Sequence, residues 1–245
     1  MLHKTIDKDC FQFKRFSVKQ DICTMKVNTD GVLLGAWSAD HVTANRVLDI
    51  GTGTGVIALM IAQKRPDVMI DAIDIDALAF QQARQNFMEN ELGANIICHL
   101  MALQEFCQST SGSYDLIISN PPFFTGGTFS DNENKANVRH TIKLSHGELL
   151  GGVRQLLHSH GVFDVILPYT EGLQFVKMAS KYGLFLQKKT EVITRENKDV
   201  ERLLLRFSKN ENSAITINKL LIKHADGQQY SKEYIRLTKD YYLFL

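Results

Sequence analysis

The chain has 245 residues, with 28 Lys+Arg against 27 Asp+Glu, and 44% of it is hydrophobic. That length can bury a substantial core, and the composition excludes a disordered or fibrous chain. The longest apolar run, residues 55–62, is far below the ~18 residues that cross a bilayer. The opening MLHKTIDKDCFQF lacks the apolar stretch of a secretory leader, so neither a membrane partner nor export is expected.

The first 30 residues suggest a short hairpin or cap. Residues 46–50 (RVLDI) are β-rich and end at glycines, and residues 56–63 are apolar on nearly every side, as a helix packed into a sheet would be. Residues 68–74 (VMIDAID) read as a strand. Residues 76–91 carry Phe80, Ala83 and Phe87 at the i, i+3, i+7 spacing of an amphipathic helix. Residues 95–100 and 114–119 are two more strands, 148–158 a helix, 162–167 a strand and 171–182 a helix. Repeated strand–helix units predict a mostly parallel sheet with helices on both faces. Residues 184–189 and 200–207 read as two strands with no helix between them, expected to pair antiparallel and close the sheet edge. Between residues 125 and 134 a Gly/Asn/Ser-rich stretch reads as a mobile loop.

Two motifs carry chemistry. The first is Gly51-Thr52-Gly53-Thr54-Gly55, which follows the first strand of the sheet and opens a helix. Glycines there let the backbone turn tightly and approach a ligand, and the helix N-terminus offers free N–H groups. The dinucleotide fingerprint G-x-G-x-x-G would need glycine where Val56 stands, so a nicotinamide dehydrogenase is disfavoured. Asp49 lies two residues ahead of the loop and Asp74 ends the next strand, where a carboxylate can accept both ribose hydroxyls. Asp71 and Asp76 compete for that role, the first in mid-strand and the second as a helix cap. The plainer reading of the loop is a tight turn with no ligand.

The second motif is Asn120-Pro121-Pro122-Phe123 at the end of another strand. The prolines hold the segment extended and rigid. The Asn120 side-chain oxygen and the Pro121 carbonyl can accept both N–H bonds of a planar amine, and Phe123 can stack on its ring at ~1–3 kcal/mol. On its own such a motif could be a turn without chemistry. No nucleophile–base triad and no paired carboxylates accompany it. The four cysteines (Cys10, Cys23, Cys98, Cys107) lack C-x-x-C spacing and the eight histidines lack ligand spacing. Reduced thiols, a cytoplasmic setting and no bound metal are therefore expected.

The glycine loop resembles that of class I S-adenosylmethionine-dependent methyltransferases. The second motif resembles the N-P-P-[FY] signature of those that modify planar nitrogens: adenine N6, guanine N2 and glutamine N5. Residues 13–21, the run Thr29-Asp30-Gly31-Val-Leu-Leu-Gly35-Ala36-Trp37 and residues 226–243 are similar to the bacterial tRNA(Val) adenine-37 N6-methyltransferase family, so the resemblance covers nearly the whole chain. It implies a Rossmann-like fold with a seven-stranded, mostly parallel sheet whose last strands are antiparallel. It also implies S-adenosylmethionine as methyl donor, tRNA as substrate with the base flipped out, and a monomer. The expected division is an N-terminal cap (1–30), a methyltransferase domain (31–218) and a C-terminal extension packed on it (219–245). Asn120, Pro121, Pro122 and Phe123 would form the catalytic segment. Thr29, Asp30, Asp49, Gly51, Thr52, Gly53, Gly55, Asp74 and Asn120 would hold the cofactor, with Thr29 and Asp30 at its methionine end or simply capping a helix.

Many adenine-acting relatives have tyrosine where this chain has Phe123. Guanine-N2 methylation of ribosomal RNA is therefore the alternative, with glutamine-N5 methylation of a protein behind it. Arg139 and His140 could meet RNA phosphate or close the loop before them. The net charge is +2 over residues 1–30, −5 over 31–187, and +2 in each of 188–218 and 219–245. Basic flanks around an acidic middle suit a polyanion held beside a cationic small molecule, or are scattered surface charge.

Overall fold

A computed structural model of the chain describes residues 8–39, 43–122, 144–211 and 214–243. Its elements are β1 (Cys10–Gln12), β2 (Ser17–Lys19), α1 (Thr29–Ala39), β3 (Arg46–Ile50), α2 (Val56–Lys64), β4 (Met69–Asp74), α3 (Ala77–Glu89), β5 (Ile96–Leu100), α4 (Leu103–Ser109), β6 (Tyr114–Ser119), α5 (His146–Leu156), β7 (Leu157–Pro168), α6 (Tyr169–Lys181), β8 (Phe185–Arg195), β9 (Arg202–Ser208), β10 (Thr216–Lys223) and α7 (Lys232–Thr238).

β1 and β2 form a small antiparallel hairpin, and the other strands build one sheet in the order β10-β8-β9-β7-β6-β3-β4-β5. Every neighbouring pair is parallel except β7–β9 and β8–β9, so β9 alone runs against the rest. Among the described residues the sheet thus has eight strands, against the seven that the resemblance implies. β8 and β9 do pair antiparallel, but β9 is inserted between β7 and β8 and the edge belongs to β10. No strand is expected from the sequence at β10, whose first half is exposed; its Leu220 and Ile222 join the core.

Alternation along the strands sorts side chains into two apolar layers. Val47, Leu116, Ile118, Ile166 and Leu204 face a layer built on α1, α2, α3 and α7. Leu48, Ile117, Val165, Leu203 and Leu205 face the layer of α4, α5 and α6. Beneath α1 the first layer holds an ion pair: Arg206 on β9 grips Asp164 on β7 through two hydrogen bonds of 2.8 and 2.6 Å. The Arg206 guanidinium also lies 5.0 Å from the Trp37 ring centroid.

The N-terminal segment is held on α3 by amides rather than by a strand. Gln82, Asn86 and Asn90 stand four residues apart on one face of that helix and its end. Gln82 accepts from the N–H groups of Ile22 and Cys23, Asn86 accepts from and donates to the Lys19 backbone, and Asn90 does the same for Ser17. Asn86 also donates to the carbonyl of Thr54, which couples this zipper to the glycine loop.

Candidate active site

The site begins with one row of the sheet. Ile50 of β3 is in register with Ile73 of β4 on one side and Ser119 of β6 on the other. The next residues along these three parallel strands are therefore Gly51, Asp74 and Asn120, side by side at the carboxyl edge of the sheet. Neighbouring strands are ~4.8 Å apart, so Asp74 and Asn120 stand ~10 Å apart with the glycine loop between them. Three bonds lock the row: Ser119 Oγ donates to the Ile50 carbonyl (2.9 Å), and the Gly51 and Thr52 N–H groups donate to the Ile73 carbonyl (2.9 and 3.1 Å).

Gly51, Gly53 and Gly55 all have positive φ, at 72°, 57° and 81°, a conformation that costs an L side chain about 1–3 kcal/mol. A Cβ on Gly51 or Gly53 would meet only open space, whereas one on Gly55 would approach the Phe87 ring to 2.5 Å. The loop thus presents bare backbone to the crevice and packs its last glycine against α3. Asp74 accepts from the N–H of Gly53 through Oδ2 and from the N–H of Asp76 through Oδ1, both at 2.9 Å. Burial pushes its carboxyl above the usual range. Asp76 caps α3 through the Leu78 N–H. Asp71 is engaged elsewhere, by Tyr114, His99 and Arg46.

Asp49 is buried, with 1% of its surface exposed. Its Oδ2 accepts from the Thr52 hydroxyl at 2.7 Å; the Ala58 N–H of α2 also acts on the carboxylate, and Oδ1 accepts no hydrogen bond of ordinary geometry among the described residues. Burial pushes its carboxyl up to about 7, against the pull of the Thr52 bond and with the Asp74 charge adding to it. Cys98 on β5 is pushed up to about 12, by burial first and then by Asp74 and Asp49, so its thiol stays protonated and is no nucleophile.

Asn120 is half-buried, followed by a buried Pro121 and an exposed Pro122. The N-terminus of α1 sits against it. A Cβ on Gly31 would lie 3.6 Å from Asn28 Oδ1, 3.7 Å from a Val56 methyl and 3.9 Å from Asn120 Nδ2. The cap of α1 is Asn28, whose Oδ1 accepts from the Gly31 N–H at 2.9 Å, rather than Thr29 or Asp30. Asp30 accepts from Arg202 Nε at 2.9 Å, and Thr29 and Asp30 line a neighbouring cavity bounded by β8, β9, β10 and α7. The strand ends bring Asp49, Gly51, Thr52, Gly53, Gly55, Asp74 and Asn120 into one crevice, while Thr29 and Asp30 adjoin it. The sequence analysis singles out neither Asn28 nor Arg202: Asn28 is a local helix cap, for which an Asn ahead of an apolar run is the available signal, whereas Arg202 matters through Asp30, 172 residues away, and has none. Phe123, Arg139, His140 and the whole 125–134 loop lie outside the described residues.

The Methyltransferase small domain family matches residues 29–162. A relative from Phocaeicola vulgatus is 44% identical over 95% of this chain and 97% of its own length, and one from Flavobacterium johnsoniae is 41% identical over 95% and 99%. Both are named tRNA1(Val) (adenine(37)-N6)-methyltransferase. The chain belongs to that family. Solved structures with the same fold include a predicted O-methyltransferase of Agrobacterium tumefaciens, with TM-score 0.68, 15% identity and cover of 86% of this chain and 96% of that one. Another is a ribosomal protein L11 methylase of Lactobacillus delbrueckii, with TM-score 0.55, 15% identity and cover of 79% and 84%.

Family membership implies S-adenosylmethionine as methyl donor, and the crevice fits it. Asp49 offers an unsatisfied buried carboxylate oxygen to a cationic ligand, Gly51 and Gly53 leave room that a side chain would fill, and Asp74 retains acceptor capacity for a diol. Among the described residues no group of three or more His, Cys, Asp or Glu could hold a metal, and no helix is long and apolar enough to cross a membrane.

Proposed function

We propose that this chain transfers the methyl group of S-adenosylmethionine to N6 of adenine 37 in a tRNA of the tRNA(Val) class. The observation that carries the reading is the row Asp74–Gly51–Asn120, which sets a diol acceptor and an amine acceptor ~10 Å apart across three strands. The cofactor supplies an electrophilic methyl on sulfur, held by the Gly51–Gly55 backbone, Asp49, Thr52 and Asp74. Thr29 and Asp30, assigned to its methionine end by resemblance, stand at the rim of that pocket.

The chain's own work is orientation. The Asn120 side-chain oxygen and the Pro121 carbonyl accept the two N–H bonds of the exocyclic amine, which localises its lone pair toward the methyl. Phe123 is the stacking partner proposed from the sequence. An amine held so would be in line with that methyl, so that the N–C bond could form as the S–C bond breaks, the sulfur leaving as a neutral thioether and the surplus amine proton passing to water. Positioning and fixed dipoles supply the rate, since the transfer needs no covalent enzyme intermediate. Adenine is preferred over guanine because the near-full-length relatives carry adenine in their names. A monomeric, cytoplasmic enzyme is part of the same reading.

The test is methyl transfer to unmodified tRNA(Val) transcript, followed by nucleoside mass spectrometry. N6-methyladenosine that disappears when adenine 37 is replaced is the expected result. N2-methylguanosine as product, or methylation only of a protein glutamine, would replace this reading with one of the two alternatives.

A further inference from the structure

Beside the Asn120 crevice is a second cavity of about 560 Å³, lined by Thr29, Asp30, Arg195, Arg202, Lys223 and Tyr230 among others. Its place follows from the topology. β8 and β10 run parallel to β3 and β6, so Arg195 and Lys223, their last residues, emerge at the same edge of the sheet as Asn120. β9 runs the other way, so its first residue, Arg202, emerges there too. The turn Asn28–Gly31 separates the two spaces: Gly31 approaches the Asn120 amide, while Thr29 and Asp30 face the second cavity.

The cavity's charge is arranged for an anion. Three cations line it against two carboxylates, Asp30 and Glu201, and both carboxylates are engaged inside the protein. Asp30 takes Arg202 Nε at 2.9 Å, and Glu201 takes the Thr194 hydroxyl at 2.6 Å. Lys223 Nζ is held 4.8 Å from the Tyr230 ring centroid, and that ring stacks on Tyr234 with centroids 5.1 Å apart. A long lysine side chain steadied on an aromatic pair loses less freedom when it meets an anion.

We propose that this cavity binds the phosphodiester backbone of the RNA nucleotides flanking the flipped target adenosine, with Arg195 and Lys223 as phosphate ligands and Asp30 as the positioning residue for Arg202. The proposal rests on the RNA-methylating reading above and adds to it where the strand runs once the base has entered the Asn120 crevice. A flipped base needs its neighbouring phosphates turned and held, and an anionic strand leaving that crevice meets these side chains next.

The experiment compares wild type, Arg195→Ala/Lys223→Ala, Arg195→Lys/Lys223→Arg and, as a surface control, Lys177→Ala on the exposed face of α6. The probe is an anticodon stem–loop RNA with adenine at position 37. Its binding is followed by fluorescence anisotropy over a salt series, and its methylation by KM and kcat. S-adenosylmethionine affinity and thermal unfolding are measured in parallel. For two lost contacts to a single strand, the double alanine variant should flatten the slope of log affinity against log salt by about 1.4. It should raise the RNA KM about tenfold with kcat and cofactor affinity kept, while the charge-conserving variant and the control behave as wild type. An unchanged slope and KM in a folded double alanine variant overturns the proposal, as does loss of slope in the charge-conserving variant. Wild-type enzyme that binds the RNA without methylating it would overturn the function proposed above, yet leave the slope comparison readable. Wild-type enzyme that binds no RNA overturns both.

Discussion

Two aspartates buried on the same face of the sheet are treated in opposite ways. Asp164 is gripped by Arg206 through both carboxylate oxygens, and Asp49 has a partner for only one. Removing one member of a buried pair leaves the other uncompensated, so Asp164→Ala should cost about 3–5 kcal/mol in urea unfolding. The proposed function assigns the other oxygen of Asp49 to a cationic ligand. Its folded-state value of about 7 lies above the ordinary carboxylate value, so without ligand the folded chain holds a proton that the unfolded chain has lost. Asp49 therefore contributes a loss of stability as pH rises from about 4 to 7. A cationic ligand reverses the preference and favours the charged carboxylate. Affinity for S-adenosylmethionine should accordingly rise with pH up to about pH 7 and then level off, with proton release below that point. Calorimetry in buffers of different ionisation heat reads both effects. Asp49→Asn should flatten the profile, and a wild-type profile already flat from pH 5 to 8 would remove Asp49 from the cofactor.

At the scale of elements, α3 has two readable faces and only one of them is apolar. Phe80, Ala83 and Phe87 give the helix away in the sequence, whereas Gln82, Asn86 and Asn90 look like an ordinary solvated face. They are instead a polar zipper whose partner is backbone, and backbone leaves no trace in side-chain patterning. Gln82 and Asn86 are buried at 0% and 1% exposure. Asn86→Ala would strand the Lys19 N–H and the Lys19 and Thr54 carbonyls, so a loss of about 2–4 kcal/mol is expected in urea unfolding, with faster amide exchange over residues 17–23. A loss under 0.5 kcal/mol would mean that water replaces the amide there.

Other elements differed in legibility for similar reasons. β3, β4 and β6 are short, apolar and bounded by glycine, aspartate or proline, so both period and punctuation announce them. β10 is not legible in the sequence because half of it is exposed, nor are α4 and α7, whose seven residues give too few turns for a stripe to stand out. The glycine loop, Asp74 and Asn120 were visible as motifs. Their alignment on one row was not, because register is a property of three strands at once.

At the scale of the whole molecule, the basic flanks divide. Lys19 pairs with Glu89, Lys26 pairs with Asp9, and Lys14 donates to the Lys239 carbonyl, so much of the N-terminal charge secures that segment to the body. The later flank instead brings Arg195, Arg202 and Lys223 to the carboxyl edge of the sheet. The acidic middle places Asp49 and Asp74 beside the glycine loop, where the proposed function puts the cofactor. On the proposed reading a cationic cofactor and an anionic substrate would be met at one edge by charges drawn from different stretches of chain, so totals summed by segment carry no information on where an RNA surface lies.

The central claim is that Asn120 acts on the target amine while Gly51 and Asp74 hold the cofactor beside it. Single-turnover methylation of tRNA by Asn120→Ala, with S-adenosylmethionine affinity measured on the same preparation, tests it most directly. An interaction made mainly in the transition state should reduce turnover by at least about a hundredfold and leave cofactor affinity within about threefold. Turnover within tenfold of wild type, or a loss explained wholly by weaker cofactor binding, would contradict it.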